Sequence, residues 1–122
     1  MKSVFSIANN AFVGCTELKE FKIGKSDKYS VEDGVLYNQD ITELVIFPSN
    51  KELINSLFLV PETVIKIAEC SFSNIKNIGV RLPRKLSSIS AFAFQNAQDV
   101  TITIYRGVTT AIKFRHRLFK IL

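Results

Sequence analysis

The sequence predicts an α/β solenoid, a right-handed coil with short strands on one face, helical turns behind them and one inserted β-hairpin. Three observations predict it. The first is a spacing that occurs three times: Ile7, Ala8, Ala11, Phe12, Cys15 and Leu18 return as Ile67, Ala68, Ser71, Phe72, Ile75 and Ile78, then as Ile89, Ser90, Ala93, Phe94, Ala97 and Val100. The second and third copies lie 22 residues apart, and self-similarity at such a period marks stacked units that bury their apolar sides only against their neighbours. The second is a two-residue alternation after each copy, with Ile78, Val80 and Leu82 and then Val100, Ile102 and Ile104 apolar, as in a half-buried strand. The third is the i, i+3, i+4, i+7 rhythm of Val64, Ile67, Ala68, Ser71, Phe72 and Ile75, which predicts a helical face packed behind those strands.

In chain order, one domain spans residues 1–122: a first repeat over about 4–23, an inserted hairpin over 24–57, second and third repeats over 58–104, and a basic cap helix over 105–122. The second repeat opens on the strand Phe58-Leu59-Val60-Pro61, which proline closes because it offers no donor. Two residues after each phenylalanine stand Gly14, Asn74 and Asn96, types that accept a left-handed conformation and turn the chain. Stacked in register, Phe12, Phe72 and Phe94 predict a phenylalanine column. Within the insertion, residues 29–37 and 41–48 read as two β segments joined by Asn38-Gln39-Asp40, with Asp33-Gly34 a bulge or kink. The first repeat starts at Val4, the equivalent of Val64, and so lacks a leading strand. The expectation is an open N-terminal end, left either by a longer array or for another chain to pair with.

Composition excludes several classes. With 122 residues, 47% of them hydrophobic and 22% charged, the chain supports one continuous core. No apolar run approaches the roughly 20 residues of a membrane span, and Asn9-Asn10 interrupts the apolar opening before it resembles a secretory signal. Cys15 takes a core position shared with Ile75 and Ala97, whereas Cys70 shares its phase with Asn10 and Phe92; thiols at unlike phases argue against a disulfide. Two cysteines and His116 fall short of a four-ligand zinc set. Ser73 and Lys76 match Ser-X-X-Lys by chance, without companion motifs. His116, between Arg115 and Arg117, reads as a solvated surface residue. The glycines form no phosphate loop, so no cofactor, metal or nucleic acid is expected, and the chain reads as non-enzymatic.

The segments IANNAFVGCTELKEFKI, YSVEDGVLYNQDITELVIFP, LVPETVIKIAECSFSNIKNIGVRL and LPRKLSSISAFAFQNAQDVTITI resemble the BspA-like, or Treponema-type, leucine-rich repeats over residues 4 to about 104. The resemblance implies a leucine-rich-repeat fold and a cell-surface or secreted protein that binds other proteins, host matrix and cell-surface proteins among them. Ser71 departs from the family's usual alanine, and only the first copy keeps its cysteine.

Charge is bipolar. Residues 1–80 carry eight Lys against ten Asp or Glu, and residues 81–122 carry eight Lys or Arg against Asp99 alone. In the tail, Ala111, Phe114, Leu118, Ile121 and Leu122 fall on one helical face, with Lys113, Arg115, Arg117 and Lys120 as a candidate basic patch. A solvated cap is the plain reading; docking to a sulfated glycan, an anionic membrane surface or an acidic partner is the sharper one. Head-to-tail self-assembly is a third. The candidate face for a protein ligand is Leu59, Arg81 and Thr103, equivalent positions on successive strands, flanked by Thr101; arginine beside an apolar anchor suits a binding hot spot.

Overall fold

The computed structural model describes residues 18–23, 26–105 and 119–121. Among them run nine strands: β1 (Tyr29–Glu32), β2 (Val35–Asn38), β3 (Glu43–Ile46), β4 (Leu57–Leu59), β5 (Lys66–Ile67), β6 (Gly79–Arg81), β7 (Ser88–Ile89), β8 (Thr101–Ile104) and β9 (Phe119–Ile121). They form two sheets, one ordered β1-β2-β3-β5-β7 and the other β4-β6-β8-β9. In the second sheet every pairing is parallel, and Phe58, Val80 and Ile102 stand side by side. In the first sheet Leu44, Ile67 and Ile89 do the same. Both ladders advance by 22 residues from the second to the third repeat, the period read from the sequence.

The predicted α/β class is corrected. No α-helix occurs among the described residues, and the one helical element is a single 3-10 turn, Ile54–Ser56. The six residues predicted to form a helical face, Val64, Ile67, Ala68, Ser71, Phe72 and Ile75, are all buried, but a two-residue strand and a chain of tight turns bury them. Two causes are visible. Three non-glycine residues per repeat have positive φ: Cys70 (60°), Asn74 (65°) and Asn77 (57°), then Phe92 (60°), Asn96 (59°) and Asp99 (53°); a left-handed residue every three or four positions ends any right-handed helix. In addition, main-chain donors that a helix would turn inward reach the next repeat instead, Phe72 N–H to Ala93 O at 2.7 Å, Asn74 N–H to Gln95 O at 2.8 Å and Asn77 N–H to Gln98 O at 3.0 Å. The left-handed turn expected at Asn74 and Asn96 is present; Gly14 lies outside the described residues.

Both sheets contribute to one core, with Val35, Tyr37, Leu44 and Ile67 from the first and Phe58, Val80, Ile102 and Ile104 from the second. Phe72 and Phe94 stack at 4.9 Å with ring planes 7° apart. Phe12 lies outside the described residues, and on its other side Phe72 meets Phe47 at 5.2 Å and 29°. Phe47 N–H donates to Ser71 O at 2.7 Å, the same kind of bond that joins Phe72 to Ala93. A residue of the hairpin region thus continues the aromatic column.

The hairpin is part of the wall rather than an appendage. Strand β3 pairs in parallel with β5 and so supplies the sheet position that precedes the second repeat. Residues 29–37, expected as one kinked segment, are two antiparallel strands, with Glu32 opposite Val35 across Asp33-Gly34. Both loop residues have positive φ, 50° and 79°, as the tightest hairpin turns require. The register shift falls between Leu36 and Tyr37 instead. The far side of the hairpin is also covered: Leu36, Val45 and Ile46 pack with Phe21, Ile23, Tyr29 and Val31. Burial, and then the charges of Glu32 and Asp33, raise the Tyr37 phenol above its ordinary pKa, so it stays neutral.

The predicted cap helix over 105–122 is corrected at one end. Phe119–Ile121 forms strand β9, which extends the parallel sheet beside β8; residues 106–118 lie outside the described residues. Ser71 holds one further expectation. It is fully buried, its hydroxyl has no hydrogen-bond partner among the described residues, and Ala93 fills its place in the next repeat. A buried hydroxyl without a partner is destabilising, so Ser71→Ala is expected to raise stability by about 1 kcal/mol, read as a higher urea midpoint at an unchanged slope.

Candidate functional site

On β4, β6 and β8 alternate residues point out of the core, because successive side chains of a strand face opposite ways. Phe58, Val80 and Ile102 face inward, which leaves two outward rows fixed by register: Leu57, Gly79 and Thr101, and Leu59, Arg81 and Thr103. The four residues chosen from the sequence therefore share one face. Leu59 is 56% exposed, Arg81 and Thr101 are exposed and Thr103 is half-buried. Lys120 occupies the register position beside Thr103 on β9. Lys113, Arg115 and Arg117, the rest of the predicted basic patch, lie outside the described residues.

The two arginines near this face differ. The Arg84 guanidinium lies 4.8 Å from the centre of the Tyr105 ring, and the Arg84 main-chain N–H donates to Glu62 Oε2 at 3.2 Å. Arg81 has no ion pair among the described residues, since the salt bridges there involve Lys19, Lys22, Lys51 and Lys66. Arg81 is exposed, in register beside the exposed Leu59.

Two members of the same patch were not singled out from the sequence. Ile54 is 86% exposed and Leu57 41%, so with Leu59 they form an apolar cluster at the start of β4. The turn that presents Ile54 contains Asn55 and Ser56, at φ 56° and 54°. The available signal was Asn-Ser, two turn-forming residues, directly after an isoleucine that no repeat position accounts for.

Ser73 is buried, with no partner for its hydroxyl among the described residues, while Lys76 is exposed, so the Ser-X-X-Lys match does not pair the two side chains. The Cys70 thiol is buried, 3.8 Å from Gln95 Oε1; Cys15 and His116 lie outside the described residues. A recess of about 250 Å³ is lined by Lys19, Glu20, Lys51 and Glu52, whose charges balance one another. Among the described residues no cluster of His, Cys, Asp or Glu could hold a metal ion, and no helix is long and apolar enough to cross a membrane.

Comparison with solved structures finds a leucine-rich repeat protein from Eubacterium ventriosum, similar at a TM-score of 0.56 and 23% identity over 78% of this chain and 27% of that one. The pneumococcal vaccine antigen PcpA is similar at a TM-score of 0.46 and 26% identity over 66% of this chain and 22% of that one. The chain thus spans about a quarter of the length of either protein. A comparison with curated proteins gives no significant match. The profile of the BspA type leucine-rich repeat region (6 copies) matches residues 1–60 and 56–116, together nearly the whole chain with the stacked strands and the hairpin described above, and the chain therefore belongs to the BspA-type leucine-rich-repeat family, a family of structural, protein-binding repeats.

Proposed function

We propose that the protein is a non-catalytic adhesion-type module that binds a protein ligand at a cell surface through the outward face of β4, β6 and β8. The single observation that carries this reading is the Leu59–Arg81 pair, an exposed apolar side chain in register beside a guanidinium with no partner among the described residues. Family likeness supports the cell-surface setting, and host matrix or cell-surface proteins are the ligands the reading names. Binding of the labelled chain to immobilised matrix proteins and to host cells tests it. Arg81→Glu and Leu59→Ser are each expected to weaken binding at least about tenfold, the effect of losing a hot-spot residue, while unfolding midpoints stay unchanged. Equal binding by both variants would remove the proposal.

The excess positive charge of residues 81–122, with Lys120 in register beside Thr103, favours one second reading, docking of a sulfated glycan or an anionic membrane. That mode would weaken steeply with salt and would fail when Lys113, Arg115, Arg117 and Lys120 are neutralised together. Assembly of the chain with itself would appear instead as a mass that grows with concentration.

A further inference from the structure

Among the described residues, strand β4 is an edge of its sheet. Val60 N–H donates to Arg81 O at 3.0 Å, which directs the main-chain groups of Val60, and by alternation those of Phe58, toward β6. The groups of Leu57 and Leu59 point the opposite way, off the edge. Leu57 N–H turns back to Ile54 O, so Leu57 C=O and both main-chain groups of Leu59 have no hydrogen-bond partner among the described residues. An edge of this kind is a template for another strand, and proteins usually blunt it with charge, proline or a bulge. The strand is short and Pro61 closes it, but no charge, proline or bulge lies within Leu57-Phe58-Leu59 itself. The side chains along the same edge, Ile54, Leu57 and Leu59, are exposed and apolar.

Charge indicates what the edge would take. Arg81, in register with Leu59 and one strand in from the edge, has no carboxylate partner among the described residues. A basic segment would meet like charge there, and an acidic one would meet its complement. We propose that β4 accepts an extended segment of a protein ligand as an added strand, with apolar side chains against Ile54, Leu57 and Leu59 and a carboxylate against Arg81. This rests on the protein-binding reading above and specifies how the ligand is held: main-chain bonds supply affinity and the side-chain pockets supply specificity.

The test uses the full chain and a capped eight-residue peptide, Val-Thr-Glu-Thr-Val-Thr-Glu-Thr, whose valines and glutamates share one face of the strand, with the same peptide carrying lysine for glutamate as control. The glutamate peptide is expected to bind at least tenfold more tightly than the lysine peptide and to slow amide exchange at Leu59. Arg81→Glu is expected to reverse the preference. Methylating alternate amide nitrogens of the peptide, which removes its strand donors without touching the protein, is expected to abolish binding, and so is Leu59→Pro, which removes an outward N–H that serves no bond in the fold. Binding that survives both changes but fails with Arg81→Glu would overturn the added strand while leaving recognition by the face intact. Slow exchange at Leu59 without peptide, together with a mass that rises with concentration, would overturn it in favour of a second copy on the edge. Failure of both peptides to bind would overturn it outright.

Discussion

Replacing Phe72 with alanine is expected to destabilise the fold by about 3–5 kcal/mol, the range for a buried aromatic cut to a methyl group. Phe72 is fully buried and holds the centre of the column, against Phe47 at 5.2 Å on one side and Phe94 at 4.9 Å on the other, with Phe58 at 6.2 Å. Its removal breaks three ring contacts at once, and each aromatic pair contributes about 0.5–1.5 kcal/mol beyond simple burial. Domains of this size have roughly 5–15 kcal/mol in total, so the variant should lose a large share of its stability. Urea unfolding followed by circular dichroism checks it; a shift of less than 1 kcal/mol would contradict the column. A cycle with Phe94→Ala should be non-additive, because the two rings share one contact.

Gly34→Val is the second large effect, expected to cost about 2–4 kcal/mol when a left-handed penalty adds to overpacking. Gly34 has φ 79°, and a Cβ placed there would lie 2.9 Å from Glu20 Cβ and 3.4 Å from Glu20 Cα. Those atoms are at the root of a side chain and cannot swing aside as its tip could. Phe21 N–H also donates to Gly34 O at 2.8 Å, so relief of the clash would pull residues 18–23 away from the hairpin. The expected signature is a lowered melting temperature together with faster amide exchange at Phe21. Gly34→Asn should cost far less in backbone terms, since asparagine tolerates positive φ, and the difference between the variants isolates the branched side chain.

What could be read from the residues was where each side chain goes, and what could not was how the chain gets there. Val64, Ile67, Ala68, Ser71, Phe72 and Ile75 are inside as expected, yet a repeating apolar rhythm reports only which positions face the core. Any path that returns them inward at those intervals gives the same pattern. Phase could have separated the two paths: Asn10, Cys70 and Phe92 share a position, as do Asn77 and Asp99, and an asparagine or aspartate at a fixed place in successive copies is a sign of left-handed backbone. The outward row proposed as a binding face was legible because the period aligns Leu59, Arg81 and Thr103 without any coordinates. Ile54, Leu57 and Phe47 were missed together for one reason. They lie in or beside the stretch that has no second copy, where there is nothing to align against.

The main-chain bonds that run from one repeat to the next, such as Phe72 to Ala93 and Asn74 to Gln95, carry a genetic consequence. Each 22-residue storey hands the same donors, acceptors and aromatic ring to the storey beside it. Duplication or loss of one storey by unequal recombination therefore restores every junction, wherever in the period the crossover falls. Such an array can change length in whole storeys while each outward residue keeps its place, so that reach and recognition evolve separately.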